Sequence, residues 1–227
     1  LIFFVISLLC YQEIYKPKPL NLFSFIFLTI GFSLFIGLRN EIGCDWEGYK
    51  KIFELTNCIP NLGNNQCDFN SISNTFDYLR FKDVGFTSLN FIVKKFGGNY
   101  YYVKYISSLF FVIPLLYFCS NLKRPFLGIL ISYPYLITVI GLGSIRQSIA
   151  IGFLMVCITE LKRNKFYKYY LYNFIGNIFH YSSIIFIFLP LLIQEKENHK
   201  LEKVKKVLII ILSFIFIFIF LSLFLKD

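Results

Sequence analysis

Residues Leu20 to Leu38 read LNLFSFIFLTIGFSLFIGL and are followed at once by Arg39. A run of this length without a charge approaches what a helix needs to cross a bilayer. Ile106 to Cys119 and Val207 to Leu225 are runs of the same kind. Apolar residues make up 56% of the chain and aromatic residues 20%. A soluble domain of this size has no use for so many such runs. The alternating ten-residue pattern of a membrane β-barrel is absent. The expected fold is an all-α polytopic membrane protein, a single integral membrane domain over 1–227 with about six to eight membrane segments.

The net charge of +10 would suit a nucleic-acid binder, but its distribution does not. Lys16 and Lys18, Lys123 and Arg124, Lys162 to Lys168, and Lys196 to Lys206 all flank apolar runs. That is the positive-inside pattern of cytoplasmic loops. The stretch 39–102 balances its acids and bases, and its length and mixed charge fit a long extracytoplasmic loop. The chain opens inside an apolar run with no Met. Leu1 to Cys10 lacks the basic start and cleavage site of a signal peptide. It is expected to be the remnant of a first membrane helix, which leaves the chain open to being a fragment.

Six cysteines divide into two groups. Cys10, Cys119 and Cys157 lie in apolar runs, as small core residues do. Cys44, Cys58 and Cys67 lie in the outer loop, where an oxidising compartment would allow a Cys58–Cys67 disulfide. No cluster of metal-ligand residues argues for zinc, and no cofactor or metal is expected.

The first helix is expected to end near Gln12 and the second to run from Leu20 to Leu38, delivering Arg39 to the outer surface. Val84 to Phe96 carries one apolar stripe at Phe86, Leu89, Ile92, Val93 and Phe96, with Lys94 and Lys95 on a solvated face. It is too short and polar to span, so it should lie in the interface. The third helix covers Val103 to Ser120 and the fourth Pro125 to Ile140, with a kink at Pro134. The fifth runs from Ser144 to Leu161. One spanning helix over Tyr169 to Ile193 would put the Lys-rich loop after it outside. A short hairpin turning near His180 returns that loop to the cytoplasm and is the favoured reading. Val204 to Leu225 is the last helix.

Two ionisable groups interrupt apolar stretches. Such groups at bilayer depth are expensive and are usually paired, facing a cavity or functional. The first is Arg146, in Gly141-Leu142-Gly143-Ser144-Ile145-Arg146-Gln147-Ser148-Ile149-Ala150. Ser144 and Gln147 have the spacing of a capping box. The plain explanation is a helix start with an interfacial Arg. The functional one joins glycines that allow close approach, a helix N-terminus and a bidentate cation into a phosphate or pyrophosphate cradle. The second group is His180, which is either simply hydrogen-bonded in the core or a base facing a wet cavity.

Arg39-Asn40-Glu41-Ile42-Gly43-Cys44-Asp45-Trp46-Glu47-Gly48-Tyr49 is either an interfacial anchor or a sugar or phosphate subsite. In the second case Arg39 takes an anion, Asp45 takes hydroxyls, and Trp46 or Tyr49 stacks on a sugar face. Asp83 is either a helix N-cap or an acceptor-binding carboxylate or base.

Taken in order, these pieces resemble the EpsG family of membrane exopolysaccharide proteins, related to Wzy-type polysaccharide polymerases. The resemblance rests on Gly37-Leu38-Arg39 with Gly43-Cys44-Asp45 and Tyr49, on Asp83-Val84-Gly85-Phe86 with Leu89-Asn90, and on Ile145-Arg146-Gln147-Ser148-Ile149-Ala150. It continues through Leu161-Lys162-Arg163-Asn164-Lys165 and Phe179-His180-Tyr181-Ser182-Ser183. It implies a multi-pass protein of the bacterial inner membrane. Such a protein would join polyprenyl-pyrophosphate-linked oligosaccharide repeats at an active site facing the extracytoplasmic side.

On that reading Arg146, helped by Arg39, Ser144 and Gln147, holds the donor pyrophosphate. His180, Asp45 or Asp83 activates the acceptor hydroxyl, and no metal takes part. The expected partners are the lipid-linked oligosaccharide, membrane lipids and a polysaccharide export complex, with no nucleic acid. The rival expectations are a lipid-linked sugar flippase and a non-catalytic subunit of an export complex.

Overall fold

The computed structural model describes residues 2–15, 19–43, 45–56 and 84–190. Asp83, Cys44, the Cys58–Cys67 pair and the expected last helix lie outside the described residues.

All regular structure among the described residues is helical. α1 (Ile2–Tyr15) and α2 (Leu22–Gly37) precede Arg39, and α3 (Trp46–Leu55) and α4 (Val84–Lys95) follow it. α5 (Tyr100–Ser120) is, among the described residues, the one helix whose length and apolar composition suffice to cross a membrane. α6 starts as an α-helix over Pro125–Ser132 and widens into π-helical turns over Tyr133–Gly141. The change comes where Pro134 lacks an N–H and crowds the preceding turn. The expected kink is thus a widening. α7 (Ile145–Lys162), α8 (Phe166–Phe179) and a 3₁₀ helix (Tyr181–Phe188) complete the described chain.

α5 forms the axis of the bundle, with α2 on one side and α7 on the other. Two glycines allow this closeness. A Cβ at Gly37 would fall 2.9 Å from the Tyr105 Cα, and one at Gly152 would fall 3.1 Å from the Phe110 carbonyl oxygen. Small residues of this kind let membrane helices approach where apolar burial alone cannot drive them together. Ser108 adds a bond across the α2–α5 seam, donating to the Ser33 carbonyl at 2.9 Å.

The buried side chains form two main clusters. One joins α1, α2, α5 and α6 through Ile6, Phe32, Ile36, Phe111, Leu115, Ile129 and Ile137. The other joins α3, α4, α5 and α7 through Tyr49, Phe86, Leu89, Val103, Ile145 and Ile149. On α2, Phe23, Phe27, Ile30 and Leu34 recur at helical spacing and are all exposed. An apolar stripe of this size on the outside fits lipid rather than water.

α3 is the element that the sequence reading missed, since that segment was expected to be loop. Its buried Tyr49, Ile52 and Phe53 carry the one-sided spacing of a short amphipathic helix. Lys94 is not on a solvated face either. Its Nζ donates to the Glu54 carbonyl at 2.9 Å and lies 4.6 Å from the Phe53 ring centroid, tying α4 to the end of α3. Burial pulls the Lys94 pKa down, with Glu54 opposing. Of the stripe expected on α4, Phe86, Leu89 and Val93 are buried, whereas Ile92 and Phe96 are exposed.

The first helix continues past Gln12, and the extra turn has a task. Glu13 is buried, and its carboxylate accepts from the backbone N–H of Leu127 at 3.0 Å and of Phe126 at 3.4 Å. It thus caps the start of α6, where unpaired N–H groups favour an anion. The neighbouring charge is also paired. Glu160 accepts from the Tyr117 hydroxyl at 2.7 Å and from Arg163 at 3.2 Å, and Arg163 also reaches Asn121 at 2.5 Å. This is the end of the bundle that carries the basic loops.

α8 and the 3₁₀ helix run back to back. Asn173 Nδ2 donates to the Ser183 carbonyl at 3.2 Å, and the Tyr169 hydroxyl donates to the Phe186 carbonyl. Pairs that converge in this way make a chain reversal, and His180 stands at it with an extended backbone (φ −152°, ψ 112°).

Candidate functional site

The end of the bundle opposite Glu13 is built from two breaks in the helices that touch each other. After α2 the chain passes through Arg39 to Gly43. After α6 it passes through Gly141 to Ser144. Gly43 has φ +103°, and a Cβ there would lie 2.5 Å from the Gly143 carbonyl oxygen. Only glycine combines that backbone with that closeness. Glu41, one of the few non-glycine residues at positive φ (51°), completes the bend.

Arg39 is the pin between the two breaks. Its side chain is 8% exposed, and Nη1 donates to the Gly141 carbonyl. Arg39 follows the end of α2 as expected, but its side chain turns into the protein and not onto an exposed face. Burial lowers its pKa from the ordinary value, with the Tyr100 and Tyr49 phenols opposing. A guanidinium stays charged even so.

Beside it stands Lys104, 6% exposed, one turn into α5. Its Nζ donates to the Arg39 carbonyl and lies 4.1 Å from the Tyr101 ring centroid. Neither cation meets a carboxylate among the described residues. Arg39 is answered by a carbonyl dipole, and Lys104 by a carbonyl dipole and two aromatic faces, which offset only part of the cost of burying a charge.

These two cations open onto a cavity of about 210 Å³. Its walls are Trp46, Tyr49, Tyr100 and Tyr101, and its polar lining comes from Arg39, Asn40, Glu41, Lys50, Asn99 and Lys104. Arg39, Trp46 and Tyr49 were expected here from the sequence. Lys50, Asn99 and Lys104 were missed, although Lys104 is a charge placed in an apolar run.

Arg146 does not line that cavity. Its guanidinium carbon lies 5.1 Å from the Tyr49 ring centroid, and its Nε lies 3.5 Å from the Tyr49 hydroxyl. Tyr49 is buried edge-on against Phe86, with ring centroids 5.4 Å apart. Its ring thus touches Arg146 and also lines the cavity.

The capping box does not form as expected. Ser144 is the N-cap residue of α7, but its side chain makes no capping hydrogen bond. Gln147, its expected partner, is exposed. Ser144 N–H donates to the Ile140 carbonyl at 3.0 Å, so the chain barely leaves one helix before starting the next.

His180 reaches the same level by a different route. α7 and α8 are antiparallel, with the Cys157 thiol donating to the Tyr169 carbonyl at 3.4 Å and Gly176 packed on the Ala150 carbonyl. Carrying this register four residues further puts His180 level with Arg146. α4 closes the third side, with Gly85 packed against Ile178 and Phe179. The imidazole is half-buried, its ring centroid 5.4 Å from that of Tyr181. Asp45 is exposed at the start of α3 and is not among the cavity walls. Among the described residues no cluster of His, Cys, Asp and Glu could hold a metal ion.

The sequence model of the EpsG family matches residues 21–226, nearly the whole chain. No curated protein and no solved structure gives a significant match. The family match spans both helix breaks, the cavity and the reversal at His180, and the chain belongs to the EpsG family of exopolysaccharide-related membrane proteins.

Proposed function

We propose that this chain lengthens an exopolysaccharide by joining oligosaccharide repeats carried on polyprenyl pyrophosphate. The acceptor hydroxyl attacks the anomeric carbon of the donor glycan. The bond from that carbon to the pyrophosphate oxygen breaks, and polyprenyl pyrophosphate leaves with its electron pair. The hydroxyl proton passes to His180, the base we favour over Asp45 and Asp83 because of its level with Arg146.

Arg146, at the start of α7, stabilises charge on the departing pyrophosphate. The first N–H groups of α7, from Ile145 onward, add to the same field. Gln147 lies at the exposed rim of that turn. The observation that carries the reading is the place of Arg146, at the helix break against the Tyr49 ring and level with His180 at the chain reversal. The polar end fits the extracytoplasmic face of a bacterial inner membrane, because the basic loops flank the other end. The reading has no step that calls for a metal or cofactor.

The test uses cells that lack this protein, complemented with wild type or with Arg146→Ala. Wild type should restore a ladder of lipid-linked glycan, and the variant should leave single repeats on the outer leaflet. Repeats held on the inner leaflet would point to a flippase. Equal ladders from wild type, Arg146→Ala and His180→Ala would point to a non-catalytic subunit of an export complex.

A further inference from the structure

The cavity holds two buried cations that the glycosyl-transfer step does not use. Arg146 touches the Tyr49 ring but is not among the residues that line the cavity, so the charge of Arg39 and Lys104 is left for something else. Each is more than nine-tenths buried, and each is bonded to a backbone carbonyl instead of a carboxylate. A site that keeps two cations buried in this way is built for an anion to complete it.

The rest of the lining says which kind of anion. Trp46, Tyr49 and Tyr100 give it flat apolar walls, which suit the C–H face of a sugar ring. At about 210 Å³ the cavity is smaller than a drug-sized pocket and fits one such ring. Glu41 stands in the same lining and would repel a diphosphate, with its several charges, far more than a single carboxylate. The helix start that suits a diphosphate is that of α7, outside this cavity.

We propose that this cavity is a selectivity subsite for an acidic sugar, a uronic acid residue of the repeat, held while the transfer takes place at Arg146. The carboxylate sits between the Lys104 ammonium and the Arg39 guanidinium, and the ring stacks on the aromatic wall. Glu41 and Asn99 are then placed to bind hydroxyls. The assignment rests on the chain-lengthening reading for its biological setting, but the binding itself can be tested alone.

Trp46 is the single tryptophan of the sequence and lines the cavity, so the protein carries its own reporter. The full chain, purified in lipid nanodiscs, is titrated with glucuronic-acid-containing disaccharide, with the matching neutral disaccharide and with inorganic pyrophosphate. Trp46 emission should respond saturably to the acidic disaccharide. The neutral one should bind at least about tenfold more weakly, the usual consequence of losing a charge-assisted hydrogen bond. Pyrophosphate should not displace the acidic sugar competitively.

Lys104→Gln should weaken the acidic disaccharide about tenfold and leave the neutral one unchanged. Lys104→Arg, which keeps the charge, should restore most of the affinity. If Lys104→Gln does not fold, Lys50→Gln at the exposed rim of the cavity should weaken the acidic sugar about threefold. Equal binding of acidic and neutral sugars would overturn the proposal. So would competitive displacement by pyrophosphate, or no saturable response to any probe. Failure of the chain-lengthening reading looks different: selective binding persists while Arg146→Ala leaves the glycan ladder unchanged.

Discussion

The two ends of the bundle treat buried charge in opposite ways. At the basic-loop end, Glu13 is met by two backbone N–H groups and Glu160 by Tyr117 and Arg163. At the other end, Arg39 and Lys104 are also buried, but among the described residues Arg39 meets a carbonyl and Lys104 a carbonyl and two rings. A charge answered by its partners, as Glu13 is at both oxygens and Glu160 at one, stabilises the fold. A charge left partly unanswered costs stability and keeps capacity for a ligand. On the proposed function, the basic-loop end holds the helices together and the other end is the place for chemistry.

The comparison can be broken at several points. Gly43→Ala should have the largest structural effect, about 2–3 kcal/mol, because it forces a Cβ against the Gly143 carbonyl oxygen at φ +103°. Thermal unfolding in detergent measures it. A stability equal to wild type would mean that the two breaks do not touch.

Glu13→Ala should cost about 1–2 kcal/mol by uncapping α6. It should leave glycan length unchanged at permissive temperature, because Glu13 lies far from the site. Tyr117→Phe should cost about 1 kcal/mol, since Glu160 keeps Arg163 when the phenol is lost. Ser144→Ala should be the smallest, below about 0.5 kcal/mol, because no capping bond is lost. A loss of 1 kcal/mol or more there would restore the capping box.

Much of this arrangement was legible in the sequence. The apolar runs gave α2, α5 and α7 nearly to their ends, because a helix in lipid must satisfy its backbone internally and so writes itself as an unbroken run. The conflict over the Lys-rich loop pointed to a reversal near His180, and Asn173 and Tyr169 now pair across one. α3 was hidden because its apolar face is only three residues long and lies among charges.

The site was legible in part. Arg39, Trp46 and Tyr49 stood out by type and position. That Arg39 spans to Gly141, 102 residues away, is a tertiary contact with no local trace. Lys104 escaped notice because its partners are a carbonyl and two rings, which no charge pattern reveals. The spacing of Ser144 and Gln147 misled for the opposite reason. The motif is present, but the Ser144 side chain makes no capping bond.

The division of labour between the two ends is tested most directly by comparing Arg146→Ala and Glu13→Ala in the same strain, reading glycan length and melting temperature for each. Arg146→Ala should reduce chain extension by about a hundredfold or more while melting within a degree or two of wild type. Glu13→Ala should lower the melting temperature by several degrees and keep the full ladder. The reverse pattern, with length lost at Glu13 and stability lost at Arg146, would contradict the account.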